Sequence, residues 1–185
     1  MAEDYKKTAE EKMSKSYEAL QRNLSQVRTG RANASVLDGI SVEYYGTQTP
    51  LNQVASIGVP EARLITIQPW DKGSLPAIEK AIMASNIGLT PSNDGTLIRL
   101  NVPKLTEDRR KDLVKHCKKL AEDGRVSVRN NRRDINDAIK AAEKNGELTE
   151  DDRKQALDDV QTITDSFIAK IDKTAEEKEK EILEV

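Results

Sequence analysis

One cysteine, one histidine, one tryptophan and one phenylalanine are all that this chain of 185 residues contains of those four types. Each scarcity excludes something. A single cysteine, Cys117, cannot form an internal disulfide and suits a reducing compartment. One histidine and one cysteine supply too few ligands for a usual zinc site. His116 and Cys117 are also neighbours, and adjacent helical residues point about 100° apart, so they make no nucleophile–base pair within one helix. No GxxxxGK[ST] run is present, and no glycine-rich turn joins strand to helix where a nucleotide phosphate would sit. The pairs Asp151-Asp152 and Asp158-Asp159 read as a solvated face of an acidic helix. No run approaches transmembrane length, and Met1-Ala-Glu-Asp-Tyr-Lys-Lys lacks the apolar stretch of a signal peptide. The expectation is a soluble cytoplasmic protein, not an enzyme, with no catalytic residue, metal, cofactor or membrane partner.

What is abundant is charge. Charged residues make up 34% of the chain and aromatics 3%, a balance that suits long amphipathic helices better than one large core. The net charge is −2, yet its distribution is uneven. Residues 1–103 carry 11 basic and 11 acidic side chains, residues 104–133 carry 11 and 5, and residues 134–185 carry 8 and 16. A segment of net +6 thus precedes one of net −8. Neighbouring helices that neutralise each other would account for this, and so would a docking face backed by a repelling one.

Inside the basic segment stands Arg125-Val-Ser-Val-Arg-Asn-Asn-Arg-Arg133. Arg125, Arg129 and Arg132 fall at i, i+4 and i+7, so three guanidinium groups leave one helical face. Such groups repel one another unless an anion binds them, and their forked donors match phosphate oxygens. Two readings stay open here: an RNA or polyphosphate surface, or a solvated face with scattered Glu partners.

Three segments hold helical periodicity. Tyr5, Ala9, Met13, Tyr17, Leu20, Leu24 and Val27 recur at spacings of three and four. Leu113, Cys117, Leu120, Gly124, Val128, Asn131, Ile135, Ala138 and Ala142 continue the pattern in a second helix of about 39 residues. Ala156, Val160, Ile163, Phe167, Ile171, Ala175, Lys178 and Ile182 form a third stripe. Narrow stripes pack helices nearly parallel or antiparallel. Thr106 is placed to cap the second helix, Asn145-Gly146 to stop it, and Thr149 with Asp152 to form a capping box for the third. The turn between them is short, so these two are antiparallel neighbours in an elongated three-helix rod.

Between Gly30 and Pro103 the pattern changes to period two. Gly39 to Gly46, Gln53 to Val59, Leu64 to Gln68, Ile87 to Thr90 and Thr96 to Val102 are strand candidates. One helix fits, Leu75 to Ser85, with Ser74 as its cap and Pro76 in its first turn. Trp70 is expected to close this module by packing, with an exposed anchor as the alternative. Of Tyr44 and Tyr45, alternation puts one ring inward and one outward. The fold class is therefore α+β: residues 1–30 and 104–185 as an elongated antiparallel three-helix bundle, residues 31–103 as an inserted β/α/β domain. Two short joints near Gly30 and Pro103-Lys104 would permit hinge bending while limiting twist. Antiparallel packing gathers Arg28, Arg31 and Arg110 at that end of the rod, with Arg129 and Arg132 roughly 30 Å further along at 1.5 Å per residue.

These residues carry a family resemblance. Arg28-Thr-Gly-Arg-Ala32, Leu37-Asp-Gly-Ile40, Val42-Glu-Tyr-Tyr-Gly-Thr47, Pro76-Ala-Ile-Glu-Lys-Ala-Ile-Met-Ala-Ser85, Leu105-Thr-Glu-Asp-Arg-Arg-Lys-Asp-Leu113 and Val128-Arg-Asn-Asn-Arg-Arg-Asp134 resemble bacterial ribosome recycling factor, over nearly the whole chain and in order. The resemblance implies a two-domain L shape. It also implies an activity: with elongation factor G and GTP hydrolysed by that partner, the protein splits post-termination ribosomes into subunits. The partners implied are large-subunit rRNA of the ribosome and elongation factor G. Matched to the family's rRNA contacts are Arg28, Arg31, Arg110, Arg129 and Arg132; helical phase adds Arg133 and Arg125. The implied hinge comprises Gly30, Arg31, Pro103, Lys104 and Leu105. This reading expects a monomer, whereas the alternative, a helical coiled-coil adaptor unrelated to the ribosome, expects a stable oligomer.

Overall fold

Four α-helices run through the computed structural model, which describes residues 2–184: α1 (Ala2–Ser25), α2 (Leu75–Ala84), α3 (Glu107–Lys144) and α4 (Glu150–Leu183). The chain divides into two units, one holding the residues up to Thr29 with Thr106–Glu184, the other Gly30–Leu105. In the first, α1, α3 and α4 form an antiparallel bundle, and α3 spans about 57 Å at 1.5 Å per residue. Side-chain contacts give the directions. Asn131 reaches the Lys12 carbonyl, Ser16 meets Ser127, and Leu20 packs at Gly124, so α1 and α3 run oppositely. Met13 meets Thr164 and Tyr17 meets Thr174, so α1 and α4 run the same way. The α3–α4 turn follows from local chemistry. Gly146 adopts φ +79°, which a residue without Cβ tolerates, and the Thr149 hydroxyl and Asp152 carboxylate accept from each other's backbone amides. The Thr106 hydroxyl likewise accepts from the Arg109 amide and starts α3.

Ala9, Met13, Leu20, Cys117, Val128, Ile139, Val160 and Ile171 are among the buried residues of the bundle. The α3 stripe is broader than the single line expected from spacing. Ala138 is exposed and Leu120 half-buried, while Ala121 and Ile139 take the buried places. The reason is that α3 faces two helices, so two adjacent rows turn inward. Asn131 is half-buried and uses its amide on Ser16 at 2.9 Å; Lys178 is half-buried and pairs with Glu181 at 3.6 Å.

The second unit has two antiparallel sheets. Strands β1 (Ser41–Tyr44) and β2 (Thr47–Pro50) pair as a hairpin. Strands β3 (Ala55–Glu61), β4 (Leu64–Pro69), β5 (Pro91–Asn93) and β6 (Ile98–Asn101) form a sheet in the order β3-β4-β6-β5. Ile65 pairs with Leu100 and Ile67 with Ile98, all four fully buried, and α2 adds Leu75, Ile78 and Ile82 to the same core. Each such side chain contributes roughly 1.5–3 kcal/mol on burial.

The structure differs from the sequence reading in four places. Ile87 to Thr90 is not a strand: Gly88 lies at φ +72°, which breaks extension, and the strand follows at Pro91–Asn93. Thr47–Pro50 is a strand, because Tyr45 (φ +49°) and Gly46 (φ +78°) make a tight hairpin turn. Trp70 does not pack inward but is 69% exposed. Ile65, Ile67 and Pro69 take the inward places of β4, and the period of two sends residue 70 out. Ser74 holds the N-cap position of α2, yet its hydroxyl donates to the Asp71 carbonyl at 2.6 Å instead of capping.

Candidate nucleic-acid interface

The basic row of α3 is built on one exposed flank of the bundle, and the structure shows what faces each guanidinium. Arg125 is the most enclosed: its Nε donates to Asp172 of α4 at 2.7 Å and its Nη1 to Glu122 at 2.9 Å. Only 24% of that side chain is exposed. Arg129 shares Glu122, at 3.3 Å, and is 44% exposed. Glu122 is therefore an anion between two cations, and the Arg125 hydrogen bond, then the fields of both arginines, lower its pKa. Arg132 is different, since its Nη1 donates to an amide, Gln161 Oε1, at 3.3 Å. Arg133 is exposed and makes no ion pair among the described residues.

The anions that the clustered arginines need are thus partly internal. For Arg125 the solvated-face reading, with acidic partners close by, describes the contacts found. Arg129 and Arg133 are exposed and Arg132 is half-buried, and Lys115, Lys118 and Lys119 are exposed on α3. Those lysines contribute to the net +6 of the segment, but neither spacing nor the resemblance marks them as site residues.

At the start of α3, Arg110 turns toward the end of α4. Its Nη1 donates to the Leu183 carbonyl at 3.5 Å, where a cation complements the unpaired carbonyls of a helix C-terminus. Its Nε is buried without a hydrogen-bond partner. Arg28 follows α1 and Arg31 is the second residue of the second unit, and both side chains are exposed. Gly30 between them is buried and takes φ +81°. On the other joint, Pro103 and Lys104 are exposed and Leu105 half-buried.

Sequence reasoning missed Glu122, Gln161, Asp165 and Asp172. Glu122 was readable, since it precedes Arg125 by three and Arg129 by seven, on one helical face. Gln161 and Asp172 lie on α4, and only the α3–α4 register brings them to the arginines. His116 is exposed and Cys117 buried, and burial pushes the thiol up. Among the described residues no group of three or more His, Cys, Asp or Glu side chains could hold a metal, and no helix is long and apolar enough to cross a membrane. The small unit exposes Trp70 and Tyr45, the latter donating to Asp71 Oδ2 at 3.0 Å.

A family model described as ribosome recycling factor matches residues 20–183. The protein named ribosome-recycling factor in Halalkalibacterium halodurans is 57% identical over 185 residues, covering all of both chains. That of Geobacillus kaustophilus is 56% identical over the same length and coverage. A solution structure of a ribosome recycling factor superposes with a TM-score of 0.79 at 42% identity, covering 100% of this chain and 98% of that one. The T. thermophilus ribosome recycling factor, described with E. coli elongation factor G bound to the E. coli post-termination complex, gives 0.64 at 48% identity and 99% of each chain.

Proposed function

The chain belongs to the ribosome recycling factor family, and on that premise we propose that it splits post-termination ribosomes into subunits together with elongation factor G and GTP. The observation that carries this reading is the family match across residues 20–183, reinforced by a solved relative described with elongation factor G on a post-termination complex. The protein acts as a cytoplasmic monomer and hydrolyses nothing itself; its partner hydrolyses GTP. The protein binds large-subunit rRNA by charge and shape, through Arg28, Arg110, Arg129, Arg132 and Arg133 of the first unit and Arg31 at the start of the second. Arg125 contributes least to that contact, because Glu122 and Asp172 already hold it. Bases do not stack on this face, since no aromatic side chain interleaves with the arginines of residues 125–133.

Residues 30–31 and 103–105 act as the joint between anchor and lever. Within the small unit, Ala32 donates to the Ala62 carbonyl at 2.7 Å and Val102 to the Arg63 carbonyl at 2.9 Å. Both ends of that unit are therefore tied to the same β3–β4 turn, which supports a pivot outside Ala32 and Val102. Light scattering of post-termination ribosomes tests the function. Scattering should drop only when this protein, a species-matched elongation factor G and GTP are all present. No drop would return the protein to the adaptor reading.

A further inference from the structure

Of the arginines in residues 125–133, two are held by carboxylates and one by an amide. Arg125 and Arg129 contact Glu122, and Arg125 also contacts Asp172. Arg132 instead donates from Nη1 to Gln161 Oε1 at 3.3 Å. Gln161 is fixed in turn, because its Nε2 donates to Asp165 Oδ1, one turn further along α4, at 2.8 Å. The two contacts demand the same amide orientation. A guanidinium only donates and a carboxylate only accepts, so the amide oxygen must face Arg132 and its nitrogen must face Asp165. Asp165 therefore sets Gln161, and Gln161 sets Arg132.

The chemistry of this chain differs from an ion pair in one respect. A carboxylate at position 161 would also accept from Arg132, but it would lose the hydrogen bond to Asp165, cancel the guanidinium's charge and have to be displaced by any incoming anion. The amide leaves the positive charge whole. It also engages one of five guanidinium N–H donors, so a fork remains for a phosphate. We infer that Gln161, backed by Asp165, is a positioning residue that aims Arg132 at an rRNA phosphate without neutralising it. This rests on the reading of Arg132 as an rRNA contact.

The test compares Arg132→Ala, Gln161→Glu and Gln161→Leu for binding to purified large ribosomal subunits across a salt series, with thermal unfolding of each. Arg132→Ala should weaken binding roughly tenfold, as for one charge-assisted hydrogen bond, and flatten the slope of log affinity against log salt by about one. Gln161→Glu should reproduce both effects while the unfolding temperature stays at the parent value, which a merely structural role for Gln161 does not produce. Gln161→Leu keeps the charge and loses the aim, so affinity should fall while the slope is retained. If Arg132→Ala weakens binding but Gln161→Glu binds like the parent at every salt concentration, the positioning role is overturned and the Arg132 contact stands. If Arg132→Ala itself binds like the parent, the rRNA contact of Arg132 is wrong and the positioning role falls with it.

Discussion

Glu122 governs the electrostatics of the α3 row, since it stands within 3.3 Å of both Arg125 and Arg129. Its carboxyl titrates below the ordinary 4.5, chiefly through the Arg125 hydrogen bond. A carboxylate depressed in the folded state stabilises it fully above its unfolded value, and that contribution is lost as pH falls through the folded value. At neutral pH the pairing is intact and masks part of the charge that rRNA would meet. Glu122→Gln should therefore bind large subunits more tightly than the parent at low salt, with a steeper salt dependence. An unchanged slope would mean that Arg129 does not meet phosphate. Asp94 offers a cleaner titration in the other unit. The amides of Leu97 and Thr96, and then the Arg99 guanidinium, hold it at about 2. Its NMR-detected carboxyl should stay ionised down through pH 3.8 and protonate near 2, and the β5–β6 connection should loosen only there.

At the scale of elements, two devices set the bundle: the ends of helices and the spacing between them. Thr149 and Asp152 satisfy each other's amides at the start of α4, so Thr149→Ala should cost about 1 kcal/mol in denaturant unfolding. Gly124 sets the spacing of α1 and α3. A Cβ there would stand 3.1 Å from Leu20 Cδ2 and 3.6 Å from Ile171 Cδ1. Gly124→Val should destabilise by about 1–3 kcal/mol through overpacking, whereas in Gly124→Ala a gain of about 1 kcal/mol in helix propensity opposes the crowding. These elements also separate what a sequence carries from what it does not. Caps and stops depend on side chains a few residues apart, so Thr106, Gly146 and the Thr149–Asp152 pair are legible in the sequence alone. Which of Ala138 and Ile139 turns inward depends on how many helices α3 faces, and periodicity does not carry that. The same limit separates Glu122, placed by spacing along one helix, from Gln161, placed only by the α3–α4 register. Trp70 shows two sequence cues in conflict: its large apolar ring favours packing, whereas strand phase points it outward, and phase prevails.

For the whole molecule, each unit has a core of its own, and the residues that join them are few. Within the small unit the outermost backbone ties are at Ala32 and Val102, and α3 is capped at Thr106. Residues 103–105 lie between those fixed points, and Pro103 restricts its own φ, so a hinge there would turn at Lys104 and Leu105. On the other joint, Gly30 at φ +81° supplies a conformation that other residues adopt at a cost. If splitting requires the units to move while the bundle stays anchored, a covalent bridge between them should separate binding from activity. A cysteine pair placed across the units would serve, because the native Cys117 is buried with its thiol pushed up and does not compete as a nucleophile. The bridged protein should sediment with large subunits as the parent does, yet produce no scattering drop with elongation factor G and GTP, and reduction should restore it. Undiminished splitting by the verified bridged protein would reject the mobile joint and leave the proposed arginine anchor standing, because the bridge removes none of those arginines.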